Sequence, residues 1–169
     1  MPSQEMFDIV TEDGEIIGQA PRARCHGDPS LLHRVAHVLL FRSNGDLVLQ
    51  YRPGWKDIQP DTWDTSVGGH VDLGEEPAAA AVRELREELG VADIPLTFRY
   101  RYVWRSPVES ELVYTYSAIY DGPLAPDPHE VPEARDWSPA EIDAALGSGR
   151  LTPNFEVEWQ RCAPFRPSR

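Results

Sequence analysis

The chain has 169 residues, a formal net charge of −12 and a sequence pI near 4.7. This length suits a single domain, and the acidity argues against binding nucleic-acid polymers or anionic membranes through basic patches. Cys25 and Cys162 are too few and too far apart for a disulfide framework. Because no signal-peptide pattern and no membrane-length apolar run is visible, we expect a soluble, cytoplasmic protein.

Residues 1–30 are predicted to form a hairpin followed by a loop. Two β-prone runs, residues 7–10 and 15–20, flank a turn signal at residues 12–14, and this pattern is typical of two short paired strands. Residues 21–30 have the composition of a loop. We expect the segment to have a structural role ahead of the core.

The core is predicted over residues 31–147 and begins with strands at 35–41 and 47–52. The second run alternates apolar and polar residues, which is typical of a half-buried strand. It ends on Arg52, and the loop that follows carries Lys56. Both cations are candidates for contacts with a phosphate group of a substrate.

Strands and helices are segregated along the rest of the chain. Further strands are predicted at 96–104, 112–120 and 135–137. A helix is then predicted from the capping box of Ser138 and Glu141 to Leu146. Residues 148–169 are predicted to form a C-terminal helix, capped by Thr152 or Asn154, and a tail. This order of elements indicates an α+β fold.

Residues 77–89 are predicted to form a helix that starts at Pro77 and stops at Gly90. At about 100° per residue its apolar and acidic side chains separate. The apolar side is predicted to carry Ala78, Val82, Leu85 and Leu89, and the opposite side Glu84, Glu87 and Glu88.

Three carboxylates within one helical turn repel one another, so either solvent or a cation must offset the repulsion. A solvated acidic face is the simpler interpretation. Gly69, just upstream, lets the backbone approach closely and exposes a carbonyl oxygen. Gly69, Glu84, Glu87 and Glu88 would together give the oxygen ligands that Mg²⁺ or Mn²⁺ prefers.

The stretch from Gly69 to Val91 resembles a complete Nudix box. Gly69 is followed after five residues by Glu75, and after seven more by the sequence RELREELGV, which starts at Arg83. The resemblance implies an αβα sandwich around a mixed sheet, and it favours the metal site over the solvated face.

The Nudix resemblance also implies an activity, that of a metal-dependent pyrophosphohydrolase. The substrate would be a small-molecule diphosphate linked to a moiety X, with a nucleoside diphosphate derivative as the first expectation. Glu87 or Glu88 is the first choice for the general base, and Glu130 is the second. Arg83 would orient the carboxylates by ion pairing. The oligomeric state stays open, and a homodimer is compatible with this interpretation.

Within the Nudix proteins the chain resembles the isopentenyl-diphosphate isomerase branch. Residues 63–70, WDTSVGGH, follow that branch's pattern WTNSVCGH. The branch's metal-binding positions are matched by His26, His33, His70, Glu109 and Glu111. These imidazoles and carboxylates suit Zn²⁺ or Mn²⁺ as a second metal. The spacing alone does not indicate zinc, and unrelated histidines are the alternative.

Two departures from the isomerase pattern favour hydrolysis. Gly68 stands where the isomerases carry their catalytic cysteine, and the chain retains Glu84, Glu87 and Glu88, which the isomerases lose. An isomerase-like enzyme and a non-catalytic Nudix binding module are the two alternatives. The intact box argues against the binding module.

Overall fold

The computed structural model describes residues 4–168, which form nine strands, four helices and one 3₁₀ turn. The strands are β1 (Met6–Val10), β2 (Ile16–Pro21), β3 (Leu32–Phe41), β4 (Leu47–Tyr51), β5 (Trp63–Asp64), β6 (Val67–His70), β7 (Thr97–Arg105), β8 (Ser110–Ile119) and β9 (Glu133–Trp137). The helices are α1 (Arg22–Cys25), α2 (Pro77–Leu89), α3 (Pro139–Ala145) and α4 (Pro153–Arg161), and the 3₁₀ turn covers Ala163–Phe165.

β3 is the central strand of a mixed sheet. It pairs antiparallel with β1, β4 and β6, and it pairs parallel with β8 from Leu32 opposite Ser110 to Phe41 opposite Ile119. β7 pairs antiparallel with β8, and β9 pairs antiparallel with β4. Parallel neighbours need a long connection, and the chain between β3 and β8 contains α2. The predicted mixed sheet is confirmed.

Helices cover both faces of this sheet, because alternate side chains of β3 point to opposite sides. Ala36 and Val38 pack in one core cluster with Leu85 of α2. Leu39 and Phe41 pack in a second cluster with side chains of α3 and α4. The α+β class and the αβα sandwich predicted from the sequence are confirmed.

Helix α2 begins and ends where the sequence predicts. Pro77 is its first residue, where the missing N–H would have no helical partner. Gly90 ends the helix with a φ of 67°, a left-handed conformation that glycine adopts without steric cost. The first residue of the helix and the glycine that follows its last residue therefore mark its two ends.

The buried side of α2 differs from the predicted apolar side. Ala78 is exposed, and Val82 is 51% exposed. The buried residues of the helix are Pro77, Ala80, Ala81, Leu85, Glu88 and Leu89. Small alanine side chains allow the helix to lie close to β3 and β6, and this close packing carries Glu88 into the interior. The buried arc is thus centred between the two predicted faces.

Two further local predictions are wrong. Residues 22–25, within the predicted loop, form the short helix α1. The strand predicted as half-buried is covered on both faces, since Leu49 packs on the α4 side and Val48 on the α2 side. Gln50, on the predicted polar side, is only 7% exposed. In a strand that lies between two layers of helices, alternation of apolar and polar residues does not indicate that one face is exposed to solvent.

The two C-terminal helices begin at predicted caps. Ser138 and Glu141 form the capping box of α3. The Phe155 N–H donates to Thr152 Oγ1 at 3.2 Å, so Thr152 rather than Asn154 caps α4. Among the helices of residues 4–168, none is long and apolar enough to cross a membrane.

Candidate active site

A cavity of about 710 Å³ brings together most of the residues that the sequence singled out. Its lining includes three glutamates of α2, three residues of β6, and His26, Glu109 and Glu111 from other segments. Arg52, Lys56 and Glu130 also line it. The lining is therefore drawn from distant parts of the chain.

Glu84, Glu87 and Glu88, with Gly69, form what we call the glutamate cluster. A Cβ atom placed on Gly69 would overlap the side chain of Glu84. Glycine is therefore the residue that lets β6 pass directly against this carboxylate. The close approach places the Glu84 carboxylate directly against the backbone of β6, and carboxylate oxygens are ligands that a hard divalent cation prefers.

Arg83 binds the carboxylates on both sides of the loop-to-helix junction. Its guanidinium donates to Glu75 at 2.9 and 3.0 Å, to Glu84 at 2.8 Å and to Glu87 at 3.2 Å. It also donates to the carbonyl oxygen of His70 at 3.1 Å. Arg83 thus fixes α2 relative to β6 and holds two members of the glutamate cluster.

The three glutamates differ in burial. Glu87 has a side chain that is 56% exposed, whereas Glu88 is 9% exposed. The Gln50 amide donates to Glu88 Oε2 at 2.6 Å and also to the carbonyl oxygen of Ser66 at 3.0 Å. Gln50 therefore orients Glu88, a role that its place in an alternating strand did not indicate.

Burial raises the pKa of both inner carboxyls of the glutamate cluster. The pKa of Glu88 rises to about 8, through burial and then through the charge of Glu84. Burial also raises the pKa of Glu84 to about 7, against the opposing effect of Arg83. A nearby cation would favour the ionised forms. This donor set therefore fits a divalent metal.

His26, His33, His70, Glu109 and Glu111 form a second group, which we call the histidine cluster. His26 Nε2 lies 3.2 Å from His70 Nε2 and 3.4 Å from Glu109 Oε2. His33 Nε2 lies 3.7 Å from the same carboxylate oxygen. The cluster contains two overlapping triads, and within each triad the ligand atoms lie within 4.8 Å of one another. One triad is His26, His33 and His70, and the other is His33, Glu109 and Glu111. The predicted proximity is confirmed.

Several polar atoms of the histidine cluster lack hydrogen bonds in residues 4–168. They are both ring nitrogens of His33 and Oε2 of Glu109. Burial lowers the pKa of His33 to about 4, and it raises that of Glu109 to about 7. Neutral imidazoles are the form that binds metals. His33 Nε2 and Glu109 Oε2, which lie 3.7 Å apart without a hydrogen bond, fit a borderline cation such as Zn²⁺ or Mn²⁺.

Residues outside the predicted set hold the histidine rings in place. Phe7 stacks on His33 with ring centroids 5.3 Å apart, and on His70 with centroids 4.4 Å apart. Asp57 Oδ2 lies 3.2 Å from His26 Nδ1, which leaves Nε2 to face the cluster. No sequence pattern near Phe7 or Asp57 indicates these roles.

The predicted phosphate contacts line the cavity but already have protein partners. Arg52 donates to the carbonyl oxygen of Ile58 at 2.7 Å and pairs with Asp64 at 3.3 Å. Lys56 pairs with Glu130 at 2.8 Å. Arg52 therefore braces the loop that follows β4, and Lys56 links this loop to the one that carries Glu130.

Comparison with known proteins identifies the class of protein that has this fold and these carboxylates on α2. A family model described as the NUDIX domain matches residues 31–155. An uncharacterised Nudix hydrolase of Pseudomonas aeruginosa is 36% identical over 149 residues, which are 88% of this chain and 86% of the relative. The chain therefore belongs to the Nudix family, and its class as a Nudix hydrolase is confirmed.

The similarity also reaches the isomerase branch and a solved structure. An isopentenyl-diphosphate Δ-isomerase of Nocardia farcinica is 40% identical over 147 residues, 83% of each chain. The crystal structure of DR0079 from Deinococcus radiodurans superposes with a TM-score of 0.80 at 28% identity, covering 94% of this chain and 99% of that one. The resemblance to relatives named as isomerases is thus confirmed.

Proposed function

We propose that this Nudix hydrolase is a metal-dependent pyrophosphohydrolase that cleaves a diphosphate linked to a moiety X, with nucleoside diphosphate derivatives as the first class to test. The observation that carries the proposal is the approach of Gly69 to Glu84. A side chain at Gly69 would overlap the carboxylate, so the absence of one lets β6 and α2 pack with the glutamates facing the same cavity.

Gly69, Glu84, Glu87 and Glu88 would hold Mg²⁺ or Mn²⁺. When bound, the cation neutralises diphosphate charge and lowers the pKa of an attacking water. Arg83 holds Glu84 and Glu87 by charge-assisted hydrogen bonds at 2.8 and 3.2 Å. The protein's part is to fix these oxygen atoms before the substrate arrives.

The attack forms a bond from water oxygen to phosphorus, breaks the phosphoanhydride bond and releases a proton. Glu87 or Glu88 is the first choice to accept that proton, and Glu130 is the second. Glu88 is held by Gln50 at 2.6 Å, and Glu130 is paired with Lys56 at 2.8 Å. Arg52 and Lys56 would contact phosphate oxygens after exchanging part of their present pairing.

The histidine cluster would hold a second divalent metal such as Zn²⁺. This assignment is supported by His33 Nε2 and Glu109 Oε2, which lie 3.7 Å apart and have no hydrogen-bond partner among the described residues. A metal bound there would add a second positive charge beside the cavity. A small-molecule substrate suits so acidic a chain, and the cytoplasmic location and the homodimer stay predictions.

The experiment that tests the proposed function is a substrate panel with Mg²⁺ or Mn²⁺. Nucleoside diphosphates, nucleoside triphosphates, sugar nucleotides and coenzyme derivatives would be offered, and phosphate-containing products would be measured. We expect hydrolysis of at least one class, abolished by chelation and by Glu88→Gln. No turnover across the panel would favour the non-catalytic binding module.

A second candidate is an isomerase acting on isopentenyl diphosphate, favoured by the histidine cluster and by the relative from Nocardia farcinica. Moving a double bond needs an acid and a base on opposite sides of the substrate, and Gly68 offers no side chain for either. We expect no exchange of solvent deuterium into isopentenyl diphosphate. Robust exchange by the unmodified protein would replace the hydrolase assignment with this one.

A further inference from the structure

A fully buried carboxylate lies behind the cavity and accepts four hydrogen bonds. Glu158 of α4 is 0% exposed. Its Oε2 accepts from His37 Nδ1 at 2.7 Å and from the Tyr102 hydroxyl at 3.1 Å, and its Oε1 accepts from Thr115 Oγ1 at 2.6 Å and from the Tyr100 hydroxyl at 3.3 Å. An ionised carboxylate has about four acceptor positions, so Glu158 is fully occupied by protein donors.

His37 is the partner of Glu158 that reaches the cavity. It lies in the middle of β3, lines the cavity and is only 6% exposed. Its Nδ1 is committed to Glu158, while its Nε2 makes no hydrogen bond within residues 4–168. The ring therefore presents one free nitrogen to the cavity and is held from behind by the other.

The pair is best described as an imidazolium and a carboxylate. A buried carboxylate is costly unless a positive group lies beside it, and His37 is the basic side chain that contacts Glu158. Burial alone would lower the pKa of His37, but the charge and hydrogen bond of Glu158 raise it to about 9. Asp64 and Glu111 act in the same direction. Nε2 thus carries a proton to donate.

Gly68 keeps space open beside this nitrogen. It lies opposite His37 in the pairing of β3 with β6, so a side chain at position 68 would share the face of the sheet with the imidazole. A Cβ atom there would lie 3.3 Å from Nε2 and 3.2 Å from Cδ2 of His37. Any larger side chain would occupy the volume that a ligand of Nε2 needs.

We propose that His37 is a substrate-binding residue whose Nε2–H donates to a diphosphate oxygen in the space beside Gly68, and that Glu158 is its positioning residue. The proposal rests on the proposed function, since it names a contact to the same substrate. Among the described residues that line the cavity, Arg22, Arg52, Lys56 and Arg83 are each paired with a carboxylate of the same lining. The carboxylate that pairs with His37 belongs to Glu158, which lies behind the ring and already accepts four hydrogen bonds, so the Nε2–H of His37 is available as a charged donor to an anionic oxygen.

The decisive experiment follows the imidazole nitrogens of the full chain by ¹⁵N NMR while methylenediphosphonate, a non-hydrolysable diphosphate, is added with saturating Mg²⁺. We expect the Nε2 resonance of His37 to shift on binding. The exposed His129, which does not line the cavity, gives an internal reference that should not move. His37→Gln assigns the signal by its loss.

Affinity provides the second measurement. His37→Gln should weaken binding of methylenediphosphonate by about tenfold or more, the usual effect of losing a hydrogen bond to a charged group, while the matched His129→Gln should bind as the wild type does. Glu158→Gln should weaken binding and also change the His37 nitrogen shifts in the free protein. Unchanged His37 nitrogen shifts in Glu158→Gln, or unchanged binding, would overturn the role of Glu158 as the positioning residue.

The outcomes separate this proposal from the proposed function. A His37 resonance that stays in place while the diphosphonate saturates the protein would overturn the role of His37 and leave the hydrolase assignment intact. Failure of the diphosphonate to bind with Mg²⁺ would also overturn it. A shifted His37 resonance in a protein that hydrolyses nothing in the panel would retain the contact and reject the hydrolase. The wild-type titration decides even if the variants fold poorly.

Discussion

The glutamate cluster and the histidine cluster line one cavity but are built in different ways. The glutamates come from one turn of α2 and share one arginine, which contacts Glu84 at 2.8 Å and Glu87 at 3.2 Å. The histidine cluster is assembled from four separate segments of the chain, and within the described part of the chain its buried atoms on His33 and Glu109 lack hydrogen bonds. The glutamate cluster is thus held by hydrogen bonds from the protein itself. The histidine cluster has buried nitrogen and oxygen atoms that a bound metal would coordinate.

The largest expected effect is a loss of turnover when the glutamate cluster is changed. Glu88→Gln and Glu87→Gln should each lower turnover by about a hundredfold or more, because metal-assisted attack at phosphorus contributes several kcal/mol to transition-state stabilisation. Turnover of the best substrate in the panel would be measured at saturating Mg²⁺. Glu76→Gln, an exposed position just before the same helix, is the matched control. Full activity in both Glu87 and Glu88 variants would remove this helix from the metal site.

The next effect concerns the backbone of the glutamate cluster. Gly69→Ala should displace Glu84, since the new Cβ would overlap its side chain, and we expect at least about a tenfold loss of Mn²⁺ affinity, equivalent to roughly 1.4 kcal/mol. Electron paramagnetic resonance, which detects free Mn²⁺, measures this affinity directly. Gly18→Ala, with no atom within 4 Å of the added carbon, is the control. Equal Mn²⁺ affinity in both variants would contradict the close-approach argument.

Metal stoichiometry would then sharpen the difference between the clusters. The wild type, dialysed against Zn²⁺ and Mn²⁺, should retain two metals per chain, and His33→Asn should retain one, because a buried imidazole ligand is lost. Glu84→Gln should remove the other metal. Elemental analysis of the purified protein gives the count. An unchanged metal content in His33→Asn would reduce the histidine cluster to a packing feature.

The effect with the least bearing on activity is a pH-dependent change in the free energy of unfolding. In metal-free protein the pKa of Glu88 is raised from 4.5 to about 8, so the folded state holds a proton that the unfolded state releases, and stability falls as pH rises through this window. Glu88→Gln cannot ionise, so its melting temperature should exceed that of the wild type by a margin that grows from pH 4.5 to 8. The gain is at most about 1.4 kcal/mol per pH unit.

Differential scanning calorimetry in the presence of a chelator would measure this margin. Saturating Mg²⁺ should reverse its sign, because the wild type then gains binding energy that the variant lacks. A margin that shrinks as pH rises would show that Glu88 is ionised in the metal-free fold.

Local spacing explains what the sequence could predict. Glu84, Glu87 and Glu88 are neighbours on any helix, so their cluster follows from residue numbers alone. The predicted apolar face of α2 was wrong at Val82, because which arc of a helix is buried depends on the sheet beside it. The division into residues 1–30, 31–147 and 148–169 stays a prediction.

Long-range contacts explain what the sequence could not predict. His26, His33 and His70 were placed together only through the resemblance to the isomerase branch. His37 and Glu158 lie 121 positions apart, and no pattern near either residue joins them. The role of Gln50 was missed for another reason. A polar residue on an alternating strand is expected to face solvent, but Gln50 is buried against Glu88.

The N-terminal segment, which lies before the matched family domain, contributes side chains to the histidine cluster. The family match begins at residue 31, yet the segment before it supplies His26 to the histidine cluster and Phe7 to its rings. Asp8 of the N-terminal hairpin accepts from Arg34 at 2.8 Å and from the Gly74 N–H at 3.0 Å. The hairpin is therefore attached to both the sheet and the loop before α2. Without the segment before residue 31, the triad of His26, His33 and His70 would lose one member, whereas the triad of His33, Glu109 and Glu111 would keep all of its ligand atoms.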